Sequence, residues 1–253
     1  MPVQTLLRFL ASRETPRPCV PDGRRVYAVG DIHGRLDLLE RLLAAIARDD
    51  ARRGPADTVV VFLGDLVDRG PDSRGVVERL IDYGRGPTAA RFLMGNHEEV
   101  FLRALEGDLR AMRLLVRIGG RETVLSYGVS EAEYRGLDFE DLAPLLREKV
   151  PAEHVRFLAG FERSIEVGDY LFVHAGIRPG IPLDQQSGSD LRWIRDDFLH
   201  CRDGFGKIVV HGHSVTAEGD VRPNRIGIDT GAYASGRLSA LGLEGDGRWF
   251  LST

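Results

Sequence analysis

Val26-Tyr27-Ala28-Val29 runs directly into Gly30-Asp31-Ile32-His33-Gly34, and Val59-Val60-Val61-Phe62-Leu63 runs into Gly64-Asp65-Leu66-Val67-Asp68-Arg69-Gly70. Each is a continuous apolar run of strand length that ends in glycine and in side chains able to hold a cation. A run without polar alternation reads as a strand buried on both faces. The pattern recurs where Arg91 to Met94 meets Gly95-Asn96-His97-Glu98, where Tyr170 to Val173 meets His174-Ala175-Gly176, and where Ile208 to Val210 meets His211-Gly212-His213-Ser214. Between the first three runs the spacing becomes helical, with Leu36, Leu39, Leu43 and Ile46 on one face and Val76, Leu80 and Tyr83 on another. Alternating strand and helix predicts an α/β fold with parallel pairings. Ligands of open α/β sheets sit beyond the carboxyl ends of the strands, so these five turns are predicted to converge on one place.

The remaining sequence bounds the class. With 253 residues, 43% hydrophobic and 28% charged, the chain can bury a substantial core and is not disordered. Its 34 basic and 38 acidic side chains give a net charge of −4, which leaves no excess positive charge for a nucleic-acid backbone or an anionic membrane. Two isolated cysteines, Cys19 and Cys201, fit neither a disulfide scaffold nor a four-sulfur zinc site, so a reducing, cytoplasmic setting is expected. No apolar run approaches the roughly 20 residues of a membrane span, and the opening stretch is too short and too interrupted by arginine for a signal peptide. A soluble, unprocessed protein is expected. Pro16, Pro18 and Pro21 mark residues 1–22 as a loosely held arm, with a single domain over 23–253. From Glu98 to about residue 163 short helical patterns broken by Gly107, Gly119-Gly120, Gly128 and Pro151 predict a helical cap. Leu238 to Leu243 and Arg248 to Leu251 form a hairpin across Glu244-Gly245-Asp246-Gly247.

Carboxylate, amide oxygen and imidazole, without thiolate, suit Mn²⁺, Fe, Mg²⁺ or Zn²⁺ and exclude Cu(I) and iron–sulfur clusters. GDIHG at 30–34, GDLVDRG at 64–70, GNHE at 95–98, VHAG at 173–176 and HGHS at 211–214 together resemble the calcineurin-like metallophosphoesterases, in particular the phosphoprotein-phosphatase branch and its bacterial and phage serine/threonine phosphatases. The resemblance spans Val26 to about Tyr233 and implies two mixed β-sheets packed as a sandwich flanked by helices. It also implies two divalent cations, manganese first among the candidates. Asp31 and His33 would hold one, Asp65 would bridge both, and Asn96, His174 and His213 would hold the other.

The charges fit that assignment: two divalent ions less the carboxylates of Asp31 and Asp65 leave about +2, which attracts a phosphate dianion. A hydroxide bridging the ions would attack phosphorus directly. His97 is the expected proton donor to the leaving oxygen, and the resemblance implies that Asp68 orients it, the alternative being that Asp68 only caps the turn before Pro71. Arg69 and Arg195 are the expected phosphate forks, assisted by Asn96, with Arg192 the competitor of Arg195. Glu98 reads as a residue of the helix start, His211 as a buried hydrogen-bonding residue, and His154 and His200 as packing or surface residues. Asp229, in the Ile228-Asp229-Thr230-Gly231 element, would orient a ligand histidine or close a turn.

The motifs put hydrolysis of phosphoserine and phosphothreonine in proteins first. Hydrolysis of dinucleoside polyphosphates at the same centre is the alternative, and a catalytically inactive phosphate-binding module is the third reading. The expected partners are thus a phosphorylated protein or a small phosphate ester, without nucleic acid or membrane.

Overall fold

The computed structural model describes residues 17–253. Its strands are β1 (Arg24–Val29), β2 (Asp57–Phe62), β3 (Ala89–Phe92), β4 (Ile165–Val167), β5 (Tyr170–Phe172), β6 (Ile208–His211), β7 (Asp220–Val221), β8 (Arg225–Gly227), β9 (Ser239–Glu244) and β10 (Gly247–Ser252). The helices are α1 (Leu36–Arg53), α2 (Ser73–Gly84), α3 (Asn96–Leu105), α4 (Leu109–Ile118), α5 (Gly120–Ser126), α6 (Glu131–Gly136), α7 (Phe139–Lys149), α8 (Ala152–Ala159), α9 (Gly188–Trp193), α10 (Asp196–Leu199) and α11 (Ala232–Ser235).

Two mixed five-stranded sheets result, in the orders β10-β9-β1-β2-β3 and β4-β5-β6-β8-β7. β1, β2 and β3 pair in parallel, as the alternating pattern predicts, and so do β5, β6 and β8. Strand alternation divides the apolar side chains between layers. Val26 and Ala28 face Tyr170, Phe172, Val210 and Ile226 of the other sheet, whereas Tyr27 and Val29 face outward onto α1 and α2. The outer face of the second sheet, with Leu171, Val173 and Val209, is covered by Leu191 and Phe198 of α9 and α10. The molecule is therefore a sheet-on-sheet sandwich between helical layers, α/β as expected.

Several local expectations shift. β3 ends at Phe92 and its residues are half-buried or exposed, because it is the edge of its sheet; beyond it Leu93 donates to Phe62 O and forms an isolated bridge with Glu162. The final hairpin closes over Gly245-Asp246 alone. Tyr83 is half-buried, and Val77 takes its place on the buried face of α2. The segment read as an arm is anchored from Pro18 onward: Val20 is buried and donates to the Gly245 carbonyl, and Tyr170 donates its hydroxyl to Pro18 O. Residues 1–16 lie outside the described residues. α3 to α8 build the expected cap without a strand, and α4 starts on an Asp108 carboxylate that accepts from Arg110 N and Ala111 N.

Candidate metal centre

All five turns lie at the carboxyl ends of parallel strands and meet at one edge of the sandwich. The first two are laced together, with Ile32 N and His33 N donating to Asp65 O at 3.0 and 2.9 Å and Gly34 N donating to Leu66 O at 2.8 Å. Gly34, at φ +63°, lies so close to its neighbour that a Cβ would stand 2.6 Å from Gly70 O, so only glycine lets the two turns touch. Among the described residues, the non-glycine residues with positive φ are His33, Asp65, Asp68, Arg69 and His213, every one of them a predicted site residue. Strain of this kind persists only where surrounding contacts over-determine it.

Two overlapping groups form there. Ligand-capable atoms of His33, Asp65 and His97 lie together, as do those of Asp65, His174 and His213, so Asp65 belongs to both. Its carboxylate oxygens are 3.4 Å from His174 Nε2, 3.7 Å from His33 Nε2 and 3.8 Å from His97 Nε2. His33 Nδ1 donates to Val67 O and His174 Nδ1 to Leu63 O, both at 2.8 Å, which fixes each tautomer and turns the lone pair of Nε2 toward Asp65. Asn96 Oδ1 lies 3.0 Å from His174 Nε2. His213 Nε2 is buried without a hydrogen-bond partner, the condition of a nitrogen that awaits a cation. Asp31 is near but differently engaged, accepting from His213 N at 3.0 Å and lying outside both groups.

Electrostatics favour the ligand-ready forms of His33, His213 and Asp65 and oppose them at Asp31 and at His174, where burial works against the charged ring but the Asp65 charge raises it. Burial, reinforced by the charges of His97 and Arg69, lowers His33 to about 3. Burial and then His174 lower His213 to about 2, so both rings are neutral at pH 7. Burial works against the Asp65 carboxylate, but His174, His97 and His33 hold it well below the usual range. Asp31 is pushed well above its usual value, first by burial and then by Asp229 and Asp65. Carboxylates crowded this closely call for cations, and the donor set is oxygen and imidazole, so the residues fit divalent metals.

The predicted catalytic pair is in contact: His97 Nδ1 lies 2.6 Å from Asp68 Oδ2. Arg69 donates to His33 Nε2 at 2.8 Å and to His97 Nε2 at 3.1 Å. Arg192 is committed to a fork on Glu99, whereas Arg195 is exposed, has no partner among the described residues and lies close enough to His213 to depress its pKa. Asp229 closes a turn by accepting from Gly231 N and orients no histidine. His211 is buried between Gly212 O and Arg225. His154 is buried against Tyr127, and His200 is exposed.

Two contributors act on partners that no local pattern indicates. Glu98 accepts from Asp65 N, Leu66 N and Gly95 N at 2.8 to 3.1 Å, so it clamps the Asp65 turn as well as starting α3. Burial and the Asp65 charge raise it to about 7. Thr123 of α5 donates to Asp68 Oδ1 and accepts from Asp68 N, which ties the cap to the turn that holds His97. The Ser/Thr pattern of α5 gave no hint of a partner 55 residues away.

A two-sheet α/β sandwich that gathers aspartate, histidine and asparagine at its strand ends is the architecture of a metallophosphoesterase. The chain belongs to the calcineurin-like phosphoesterase family, which matches residues 24–237. It is similar to the symmetrical bis(5'-nucleosyl)-tetraphosphatase of Acidovorax sp. (strain JS42), with 37% identity over 154 residues, 61% of this chain and 44% of that protein. That match therefore spans less than half of the relative's length. The asymmetrical bis(5'-nucleosyl)-tetraphosphatase PrpE of Oceanobacillus iheyensis is 25% identical over 238 residues, covering 85% of this chain and 87% of the relative. Among solved structures, a protein provisionally named a diadenosine tetraphosphatase has the same fold, with a TM-score of 0.64 at 24% identity over 94% of this chain and 98% of its own. No described helix is long and apolar enough to cross a membrane.

Proposed function

We propose that this phosphoester hydrolase cleaves dinucleoside polyphosphates with the aid of two divalent cations, manganese first among them. The carrying observation is Asp65, whose carboxylate belongs to two histidine groups at once and so suits a bridge between two ions. The names of the similar tetraphosphatases favour the dinucleotide over the phosphoserine or phosphothreonine substrate that the motifs alone put first. The proximity of all the candidate ligands argues against an inactive module.

In this reading Asp31 and His33 serve one ion, Asn96, His174 and His213 the other, and Asp65 both. When bound, the ions supply Lewis acidity and a water acidic enough to act as nucleophile near neutral pH. Arg69 and Arg195 fork the oxygens of the phosphoryl group, Arg69 from between His33 and His97 and Arg195 from the exposed side. His97 gives a proton to the departing oxygen, and the Asp68 carboxylate fixes its ring by holding Nδ1. Burial works against a charged His97, but Asp65 and the hydrogen bond that His97 donates to Asp68 outweigh it and raise its pKa above the ordinary value. A nucleotide departs through a phosphate oxygen that is already a stable anion, second pKa about 6, so proton donation matters less for it than for a serine alkoxide.

The test is a comparison of kcat/KM for diadenosine tetraphosphate and a phosphoserine peptide with Mn²⁺ present. Preference for the dinucleotide is expected; preference for the peptide would return the function to protein dephosphorylation.

A further inference from the structure

Beside the candidate centre, a cavity of about 610 Å³ opens between the turn after β1, the Asp68-Arg69-Gly70 turn and α11. That is room for a nucleoside. Its wall includes Tyr233, which is 39% exposed, a large aromatic ring left uncovered beside a buried polar site. Arg69 connects the two spaces, since its guanidinium touches His33 and His97 on one side and stands 4.7 Å from the centre of the Tyr233 ring on the other. The Tyr233 ring also meets His33 edge to face, 5.4 Å between centres.

We propose that this groove seats the nucleoside nearest the scissile phosphate, with its base against Tyr233. The proposal deepens the dinucleoside polyphosphate reading and rests on it. A base is flat, uncharged and rich in N–H donors, and it gains stacking on an aromatic ring whatever its sequence identity. Other residues lining the groove match the rest of the nucleoside. Asp37 and Glu40, paired with Arg35 and Arg79, keep exposed carboxylate oxygens that can accept from ribose hydroxyls or an exocyclic amine. The platform is held in place: Arg35 forks Asp37 and donates to Ala232 O, one residue before Tyr233. An anionic phosphate at Arg69 and a neutral, donating, aromatic group beyond it is the charge pattern of a nucleoside phosphate.

The test compares inhibition of p-nitrophenyl phosphate hydrolysis by adenosine 5'-monophosphate and by ribose 5-phosphate, which differ only in the base. The Mn²⁺-loaded wild type is expected to bind the nucleotide about tenfold more tightly, in the range that base stacking supplies. Tyr233→Ala should bring that ratio close to one, and Tyr233→Phe, which keeps the ring, should preserve it. A wild-type ratio near one, or a ratio that survives Tyr233→Ala, overturns the proposal. Turnover of diadenosine tetraphosphate by the wild type is scored separately. If it is absent while the base preference depends on Tyr233, the dinucleotide reading falls and the nucleoside groove stands.

Discussion

The strand-end turns and the helical cap are built on opposite plans. The turns concentrate buried Asp31, Asp65, Asp68 and Glu98 with His33, His97 and His174, and among the described residues they hold every non-glycine residue with positive φ. The cap is an apolar packing of Met112, Leu115, Val124, Leu142 and Leu146, with few buried polar groups, chiefly Thr123 and His154. One region spends conformational and electrostatic energy to hold chemistry in place, and the other supplies the burial that keeps such a region folded. Substitutions in the first should therefore cost activity before stability, and those in the second the reverse.

The largest effect expected on activity is that of Asp65→Asn. Asparagine tolerates the left-handed backbone of this position, φ +52°, and has nearly the same shape, so the fold should survive. Losing the shared carboxylate should lower metal-dependent hydrolysis by on the order of a thousandfold or more and remove bound metal. Elemental analysis beside a p-nitrophenyl phosphate assay checks both; retained metal with near-normal turnover would show that Asp65 is no bridge. His97→Ala should come next, with a loss of roughly 10² to 10⁴ on an alkoxide leaving group and a visibly smaller loss on diadenosine tetraphosphate. Equal losses on both substrates would remove His97 from proton transfer.

The sharpest test of the comparison lies where the two plans meet. Arg69 N donates to Gly119 O, Arg69 Nε to Ile118 O, and Thr123 holds Asp68. The α4–α5 junction thus braces two consecutive left-handed residues of the site. Gly119 stands at φ +109°, and a Cβ there would lie 2.7 Å from Arg69 Cγ. Thr123→Val, which keeps the shape and deletes the hydroxyl, should lower kcat about tenfold, as loss of a group supporting a site residue commonly does, with little change in KM. A change confined to the unfolding midpoint would make Thr123 a packing residue only.

The asymmetry also explains what could be read from sequence. Site chemistry sits in contiguous motifs, because a strand end must deliver its glycine, carboxylate and imidazole within a few residues. Asp31, His33, Asp65, Asn96, His97, His174 and His213 were visible for that reason, and the structure brings them together. The supports are distant in sequence. Glu98 reads locally as a helix-start residue, yet its carboxylate reaches the amides of Asp65 and Leu66. The Gly119-Gly120 pair reads as a helix break, which it is, but its closeness to Arg69 is a tertiary fact. The sequence puts Arg195 ahead of Arg192 as a phosphate fork without a physical reason to exclude Arg192, and the structure adds one, since Glu99 holds Arg192.

In the cap, Leu115→Ala removes a fully buried side chain and should cost about 2–5 kcal/mol of stability, read from urea unfolding, while hydrolysis per folded molecule changes little. A comparable loss of activity at full folding would mean that the cap shapes the site more closely than its few hydrogen bonds to Arg69 and Asp68 imply.

The smallest effect expected is a pH dependence of stability seated in the cap. His154 is buried with Nδ1 3.0 Å from the Tyr127 hydroxyl, and burial lowers its pKa below 6.5; Arg74 adds to the shift, while Glu78 and Glu153 oppose it. Above 6.5 the ring is neutral in both folded and unfolded chains and contributes no pH dependence. As pH falls below 6.5 the unfolded chain takes up the proton first, so stability declines until the folded ring also protonates and then levels off. The urea midpoint should thus drop between pH 7.5 and 5.5, and it should drop less in His154→Gln, which cannot titrate. His33, His211 and His213 are depressed in the same direction and persist in both proteins, so the difference between the two drops isolates the cap. Equal drops would place all of the acid sensitivity at the strand ends and leave the cap electrostatically inert.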